Sequence, residues 1–223
     1  MKAIRPDKRH VLSTEEAMAE VEGAVLLEDI AERDTEDYFA VPYRKGELQW
    51  CKGLLRGGSS YSRDGWANMH KNPEELKLLK GYRLPTAVEL MHTMCVTTNP
   101  DLMALLKEDM QRTFCLLSSS TFTYQQRIIV KHGNEKVYLD GLRMGAINDI
   151  KAMVALVGKD PYQVRQALKK ITGKNPVLKT SGEEPGVNNK RSIVFGYKRD
   201  KSYIDVGAMP AWGYTARGVK YRE

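Results

Sequence analysis

The chain has 223 residues, of which 42% are hydrophobic and 28% are charged, and this is the composition of a globular protein rather than a disordered one. No apolar run reaches the roughly 18 residues that a membrane-spanning helix needs. Acidic sequence follows the basic N-terminus, where a secretory signal peptide would be apolar. The sequence therefore excludes a membrane-spanning helix, argues against a secretory signal, and predicts one large domain or one domain with an insertion.

The net charge of +7 is spread unevenly along the chain. Residues 1–40 carry five basic and eleven acidic side chains, a net charge of −6, so the remainder carries +13. The acidic N-terminal segment and the basic remainder can attract each other within the chain or present different faces to partners. A mixed, solvated surface explains the pattern as well.

The N-terminal part is predicted to contain short elements separated by glycine-rich turns. Ser13 and Thr14 are followed by glutamates, which is typical of a helix start, and a short helix to Glu22 should precede an apolar strand at 24–27. Two further strands flank Lys45-Gly46 and predict a hairpin over 39–51. The glycines and serines of 54–65 indicate a loop.

The middle of the chain predicts helices that start at proline-containing caps. Asn72-Pro73 begins one that ends at Gly81, Pro85-Thr86 begins the next, and Asn99-Pro100 begins a third. Apolar residues recur at helical spacing in the last two, which should face the core. Strands are predicted at 114–117, 122–131 and 136–139, with Gly133-Asn134 as the turn of a β-hairpin.

Residues 145–158 and 161–172 predict a helix pair. The expected core-facing residues of its first helix are Ile147, Ile150, Met153, Val154 and Val157, and those of its second are Val164, Leu168 and Ile171. A linker is predicted at 180–189 and strands at 192–197, 203–206 and 216–221. The predicted organisation is an acidic lead over residues 1–50 and a main α+β domain over 51–223, with a helical insertion at about 145–175.

No motif for nucleotide or metal binding is present in the sequence. The glycines of 56–60 lack the Gly-Lys-Ser/Thr ending of a phosphate loop, and the four histidines do not stand at metal-ligand spacings. The three cysteines, Cys51, Cys95 and Cys115, lie in apolar surroundings without a Cys-x-x-Cys pair, and this predicts reduced thiols in a reducing compartment. We therefore predict no cofactor, no metal site and no catalytic residue, which favours a protein that is not an enzyme.

The C-terminal segment interleaves cations with aromatic residues. This composition suits single-stranded nucleic acid, because cations neutralise phosphates and aromatic rings stack on bases. It equally suits a sheet with aromatic residues inside and cations outside, since the residues around Tyr197 and Tyr221 alternate with the period of a strand. The candidate nucleic-acid residues are Arg191, Lys198, Arg199, Arg217 and Lys220.

One segment resembles a known family. The run Gly81-Tyr-Arg-Leu-Pro-Thr-Ala-Val-Glu-Leu90 is similar to the RLPT signature of C-type-lectin-like domains found in relatives of the formylglycine-generating enzyme and in bacterial and phage proteins. Ser118-Ser119-Ser120 and the 216–221 segment resemble later strands of those domains, and Leu55-Arg56-Gly57-Gly58-Ser59 resembles a loop of the enzyme branch. The cysteines of the catalytic branch are absent around Gly58, so the resemblance implies the scaffold without that activity.

These observations lead to a non-enzymatic binding or structural protein on a C-type-lectin-like scaffold, with a mixed or antiparallel sheet and flanking helices. The expected recognition surface lies on glycine-rich and aromatic loops, and its candidate residues are Arg56, Ser59, Tyr61, Arg63, Trp66, Trp212 and Tyr214. A protein or virion partner is expected, in the cytoplasm or on a virion, and no membrane. Nucleic-acid binding and an enzyme with an unreadable site are the alternatives.

Overall fold

The described part of the chain has an α+β fold, in which four helices contact two separate sheets. The computed structural model describes residues 38–55, 65–66, 82–111, 116–124, 128–139, 147–179, 190–198, 200–208 and 216–223. Within these ranges the helices are α1 (Ala87–Val96), α2 (Pro100–Gln111), α3 (Ile150–Val157) and α4 (Pro161–Thr172). The strands are β1 (Tyr38–Tyr43), β2 (Gly46–Cys51), β3 (Leu116–Tyr124), β4 (Ile128–His132), β5 (Glu135–Leu139), β6 (Asn175–Lys179), β7 (Lys190–Lys198), β8 (Lys201–Ala208) and β9 (Val219–Arg222).

The smaller sheet has the order β1-β2-β9, and both of its strand pairs are antiparallel. The predicted hairpin is confirmed, with Arg44 and Lys45 as its turn and Gly46 at the start of β2. A Cβ atom on Gly46 would lie only 2.0 Å from the carbonyl oxygen of Arg222. Glycine is therefore required there, because the C-terminal strand passes directly over the backbone.

The larger sheet has the order β5-β4-β3-β7-β8-β6, and it is mixed, since β6 runs parallel to β8 while the other pairs are antiparallel. The hairpin at Gly133-Asn134 is confirmed, and Gly133 has the positive φ of 63° that such turns use. The region predicted as one strand over 122–131 is two strands, β3 and β4. Strand β6 was not predicted, because its five residues include Pro176 and show no clear alternation of apolar and polar side chains.

Strands β3, β4 and β5 share the larger sheet with β7 and β8 from the C-terminal region, whereas β9 belongs to the smaller sheet. Helix α1 lies between the two sheets and contacts β1 and β3. The indole N–H of Trp50 in β2 donates to the hydroxyl of Thr93 in α1 at 3.0 Å. Leu90, Met91 and Met94 are fully buried, so this helix links both sheets to one core.

Helices α3 and α4 pack against α1 and share its core. Their capping residues Asp149 and Asp160 accept bonds from Ala152 and Gln163, and glycines in the left-handed conformation end both helices. The prediction that Val164, Leu168 and Ile171 face the core is confirmed. The prediction for α3 was wrong at two positions.

Ile150 and Val154 are 64% and 50% exposed. They lie one turn apart on α3, which is apolar on more of its circumference than the core covers. Ile147, Met153 and Val157 face the core as predicted, together with Ala152, Ala155 and Leu156.

Several predicted elements lie outside the described residues, namely the helix over 13–22, the strand at 24–27, the helix starting at Asn72 and the linker at 180–189. The predicted domain boundary at residue 50 falls inside β2, one residue before its end. Within the described part of the chain, no helix is long and apolar enough to cross a membrane.

Candidate functional site

A cleft of about 460 Å³ opens where the two sheets meet. One wall is formed by Tyr43, Arg44 and Tyr221 of the smaller sheet, and the opposite wall by the β4–β5 turn at residues 132–135. The start of α1 forms the floor. The cleft thus combines parts of the chain that are far apart in sequence.

The floor is held by a bidentate ion pair between Arg83 and Glu89. The guanidinium Nη1 and Nη2 donate to the two carboxylate oxygens at 2.7 and 2.5 Å. The same carboxylate accepts from the backbone N–H of Thr86, whose hydroxyl accepts from the N–H of Glu89, so the pair completes a capping box at the start of α1. Burial opposes ionisation of Glu89, but the bonds from Arg83 and Thr86 outweigh it and lower the pKa of this carboxyl.

The wall on the smaller sheet is aromatic. The ring of Tyr43 meets the rings of His92 and Tyr221 edge to face, at centroid distances of 5.0 and 6.3 Å. His92 Nε2 lies 2.7 Å from the carbonyl oxygen of Pro42, a bond that fixes the imidazole against the end of β1. Burial raises the pKa of Tyr43, so its hydroxyl stays protonated at neutral pH and can donate or accept a hydrogen bond.

The mouth of the cleft carries a loose ion pair between Arg44 and Glu135, with 3.6 Å between Nη2 and Oε1. Their side chains are 63% and 69% exposed, so water screens the attraction and either charge can turn to another partner. Arg44 is in the left-handed region with φ of 54°, an uncommon conformation for a residue with a side chain, and this projects it from the hairpin turn.

Behind the cleft, Ser120 and His132 form a hydrogen-bonded pair at 2.6 Å between Oγ and Nδ1. The Ser120 oxygen accepts from the N–H of Ala87, and His132 Nε2 lies 2.8 Å from the carbonyl oxygen of Ala155. These partners fix a neutral imidazole that donates from Nε2 and accepts from Ser120 at Nδ1. The chain of bonds connects α1, β3, β4 and the end of α3.

A serine beside a histidine also suggests a nucleophile and its base. Ser120 is fully buried and His132 is only 7% exposed, and these three bonds use both ring nitrogens and the hydroxyl within the fold. Burial lowers the pKa of His132, with the Ala155 carbonyl acting weakly in the other direction. The arrangement therefore stabilises the junction of four elements and leaves the serine without access to a substrate.

Of the residues predicted for a recognition surface, Arg56, Ser59, Tyr61, Arg63, Trp212 and Tyr214 lie outside the described residues. Trp66 is 1% exposed, so its side chain belongs to the interior. Those predictions rested on the composition of loops, whereas the cleft is lined by residues at strand ends, at turns and at the start of α1.

The candidate nucleic-acid residues are spread over both sheets. Arg191 is half-buried in β7, Lys198 ends the same strand, and Lys220 is exposed on β9 in the smaller sheet. Arg199 lies outside the described residues. Arg217 is only 4% exposed, so the described members of this candidate set do not form one basic surface.

Arg217 instead joins the C-terminal segment to α2 and to the end of β2. Its Nε and Nη2 donate to the carboxylate of Asp109 at 2.6 and 3.1 Å. Its Nη1 donates to the carbonyl oxygens of Cys51 at 2.9 Å and Gly53 at 3.0 Å, and also contacts that of Lys52. We call this arrangement the Arg217 clamp. Its partner is 108 residues away in sequence, and no local pattern could have indicated the pairing.

Sequence reasoning singled out the RLPT segment as part of a scaffold and as a helix start, but it did not predict that Arg83, Thr86 and Glu89 of this segment line a site. It missed Tyr43, Arg44, Glu135 and Tyr221. The only local signals were an arginine directly after Tyr43, at the end of β1, and a glutamate at the start of β5, shortly after His132. Charged residues at strand ends are too common to indicate a site.

Chemistry other than binding has few candidates in the described ranges. No group of three or more histidine, cysteine or carboxylate side chains there could hold a metal ion. Cys51 is buried and Cys95 is half-buried, neither forms a disulfide, and burial raises the pKa of the Cys95 thiol. Comparison of the chain with protein-family models, with curated proteins and with solved structures finds no match.

Proposed function

We propose that this chain is a non-enzymatic binding protein that recognises a polar segment of a partner protein in the cleft between its two sheets. One observation carries the proposal: exposed groups of both charges and aromatic rings surround the mouth, whereas the polar groups deeper in the cleft are bonded within the fold. The floor and rear wall are thereby rigid, and the mouth is the part that can form new contacts. A preformed site of this kind loses little entropy on binding.

The choice of binding over catalysis follows from how the titratable groups are occupied. A general base or nucleophile needs access to substrate and a pKa near the working pH. Glu89 has a lowered pKa and gives both oxygens to Arg83, and His132 uses both nitrogens within the interior. These groups are suited to holding a surface in place.

The choice of a protein partner rests on the charge and composition of the lining. Two arginines and two glutamates balance, so the cleft lacks the excess positive charge that a polyanion such as nucleic acid requires. Tyrosine and arginine are the residues most enriched at the energetic centres of protein interfaces. Tyr43, Tyr221 and Arg44 provide these types within one cleft of a size that suits a few side chains.

The resemblance to C-type-lectin-like domains adds the expectation that loops contribute to the recognition surface. The loops carrying Arg56 to Trp66 and Met209 to Tyr214 remain part of this proposal, as does a virion component as the partner, met in the cytoplasm or on the particle.

The test is selection of binding peptides from a displayed random library on the full chain, followed by calorimetry with the synthesised peptides. We expect peptides whose affinity falls about tenfold on Glu135→Lys, because a desolvated charge contact contributes 1 to 2 kcal/mol or more. The matched control is Lys136→Glu, one residue along β5 on the opposite face of the strand. It reverses a charge in the same hairpin and should change affinity less than about twofold.

Two results would count against the proposal. One is that selected peptides bind Glu135→Lys and Arg44→Glu as well as the original chain. The other is that no peptide is recovered while a single-stranded oligonucleotide binds with a steep salt dependence, a result that would favour the nucleic-acid alternative.

A further inference from the structure

The exposed face of α3 and α4 combines apolar side chains with positive charge. Ile150 and Val154 are one turn apart on α3, and Tyr162, at the start of α4, is 70% exposed. The Nη2 atom of Arg165 contacts the side-chain oxygen of Asn148, two residues before α3, so Arg165 of α4 lies beside the end of α3 that carries Ile150. We call the surface of Ile150, Lys151, Val154, Arg165 and Lys169 the α3–α4 face.

This face lies in the most basic described part of the chain. Residues 147–179 contain seven lysine or arginine side chains and two aspartates, a net charge of +5. Both aspartates cap helices, where their oxygens accept backbone bonds. The cations Lys151, Arg165 and Lys169 are all exposed. The surface therefore suits an occupant that is both acidic and apolar.

The chain itself contains such a segment. Residues 11–37 carry ten carboxylates and one arginine, a net charge of −9, together with eight valine, leucine, isoleucine or methionine side chains. We propose that residues 11–37 dock on the α3–α4 face of the same chain, with their apolar side chains on Ile150 and Val154 and their carboxylates toward Lys151, Arg165 and Lys169.

The connection is short enough. The segment joins the fold at Tyr38, the first residue of β1, and β1 contacts α1, which in turn contacts α3 and α4. Two interhelical spacings amount to roughly 20 Å. Even if fully helical, 27 residues would extend over about 40 Å, at 1.5 Å per residue. The tether therefore permits docking within one chain at a high effective concentration, which favours it over a second copy.

A zero-length carbodiimide cross-linker tests the proposal on the full chain, because it couples a carboxylate to an amine only when the two are in contact. Mass spectrometry of a mixture of unlabelled and ¹⁵N-labelled chains separates links within one chain from links between two. We expect links within one chain from glutamates or aspartates of 11–37 to Lys151 and Lys169.

The apolar part of the proposal is tested by a double variant. Ile150→Ser with Val154→Ser should lower the yield of these links about fivefold or more, since two partly exposed apolar contacts are removed. The control is Val96→Ser with Tyr138→Ser, which removes two apolar side chains of similar exposure, 42% and 59%, from α1 and β5. It should leave the yield unchanged.

Three results would overturn the inference. Links from 11–37 that reach only lysines elsewhere, such as Lys131 or Lys220, or the absence of any link, would show that the segment does not occupy this face. Links found only between differently labelled chains would assign the face to a second copy. An equal yield from the Ile150/Val154 variant and its control would show that these two side chains do not contact the segment.

Discussion

Two arginine–carboxylate pairs in this protein have similar geometry and different surroundings. In the Arg217 clamp both side chains are nearly inaccessible, at 5% and 3% exposure, and the guanidinium also reaches the backbone of β2. In the cleft, Glu89 is 6% exposed but Arg83 is 41% exposed. A bidentate bond between the same groups thus holds chain segments together in one region and shapes an open surface in the other.

Solvent access therefore decides whether such an ion pair mainly stabilises the fold or can also contribute to a binding surface. Removal of one partner from a sealed pair leaves a buried charge that water cannot reach, whereas at the cleft water can hydrate the arginine that remains. The stability of the fold should therefore depend far more on the clamp, and recognition should depend more on the cleft.

The largest effect is expected for Arg217→Ala. It should lower the free energy of unfolding by about 3 to 5 kcal/mol, because Asp109 would stay buried without its partner. Urea unfolding followed by circular dichroism measures this, with Lys220→Ala on the exposed side of β9 as a control that should change stability by less than about 0.5 kcal/mol. A loss below about 1 kcal/mol would show that the clamp is not sealed.

A smaller effect is expected for Glu89→Gln, which keeps the shape of the side chain and removes its charge. The free energy of unfolding should fall by about 1 to 2 kcal/mol, through weaker bonds to Arg83 and Thr86. The same urea titration provides the value. A loss as large as that of Arg217→Ala would contradict the difference drawn between the two regions.

The pH dependence distinguishes the rear wall from the floor of the cleft. The folded-state pKa of His132 lies below the ordinary 6.5, so the unfolded chain binds its proton first and stability falls as pH drops from about 6.5 toward the folded pKa. Glu89 also has a lowered pKa, so its contribution is present above the ordinary 4.5 and is lost below it.

Unfolding measured from pH 8 to pH 3 should thus show two successive losses. His132→Gln should be less stable at pH 8 and should lack the loss that begins near pH 6.5. Glu89→Gln should keep that loss and lack the one below pH 4.5. A His132→Gln profile parallel to that of the original chain would mean that another group causes the upper transition.

The smallest effect on stability is expected for Arg44→Ala at the mouth of the cleft. The pair with Glu135 is exposed, so the free energy of unfolding should change by less than about 0.5 kcal/mol. Affinity for a peptide selected on the cleft should nevertheless fall severalfold, as calorimetry would show. Equal affinity for both chains would place the binding surface elsewhere.

Local sequence predicted the elements whose boundaries are set by neighbouring residues. The start of α1 at Pro85-Thr86, the turn at Gly133-Asn134 and the whole of α4 all depend on caps, turn residues and helical spacing within a few positions. The capping box at the floor of the cleft is equally local, because Thr86 and Glu89 stand three residues apart, but only the helix start was predicted there.

The placement of each element in space could not be predicted in this way. Apolar spacing placed Ile150 and Val154 on the buried face of α3, but how far neighbouring elements cover a helix depends on tertiary packing. For the same reason the parallel pairing of β6 with β8 gave no signal in its own five residues.

The sequence by itself determined the α+β class, the hairpins and most helix limits, since these follow from hydrogen bonds and steric preferences between residues close in the chain. Only the tertiary structure decided that Arg217 meets Asp109 and that Tyr43 and Arg44 face Glu135 across a cleft. These contacts join residues about 90 to 110 positions apart, and which distant residues meet depends on how all the elements pack around one core.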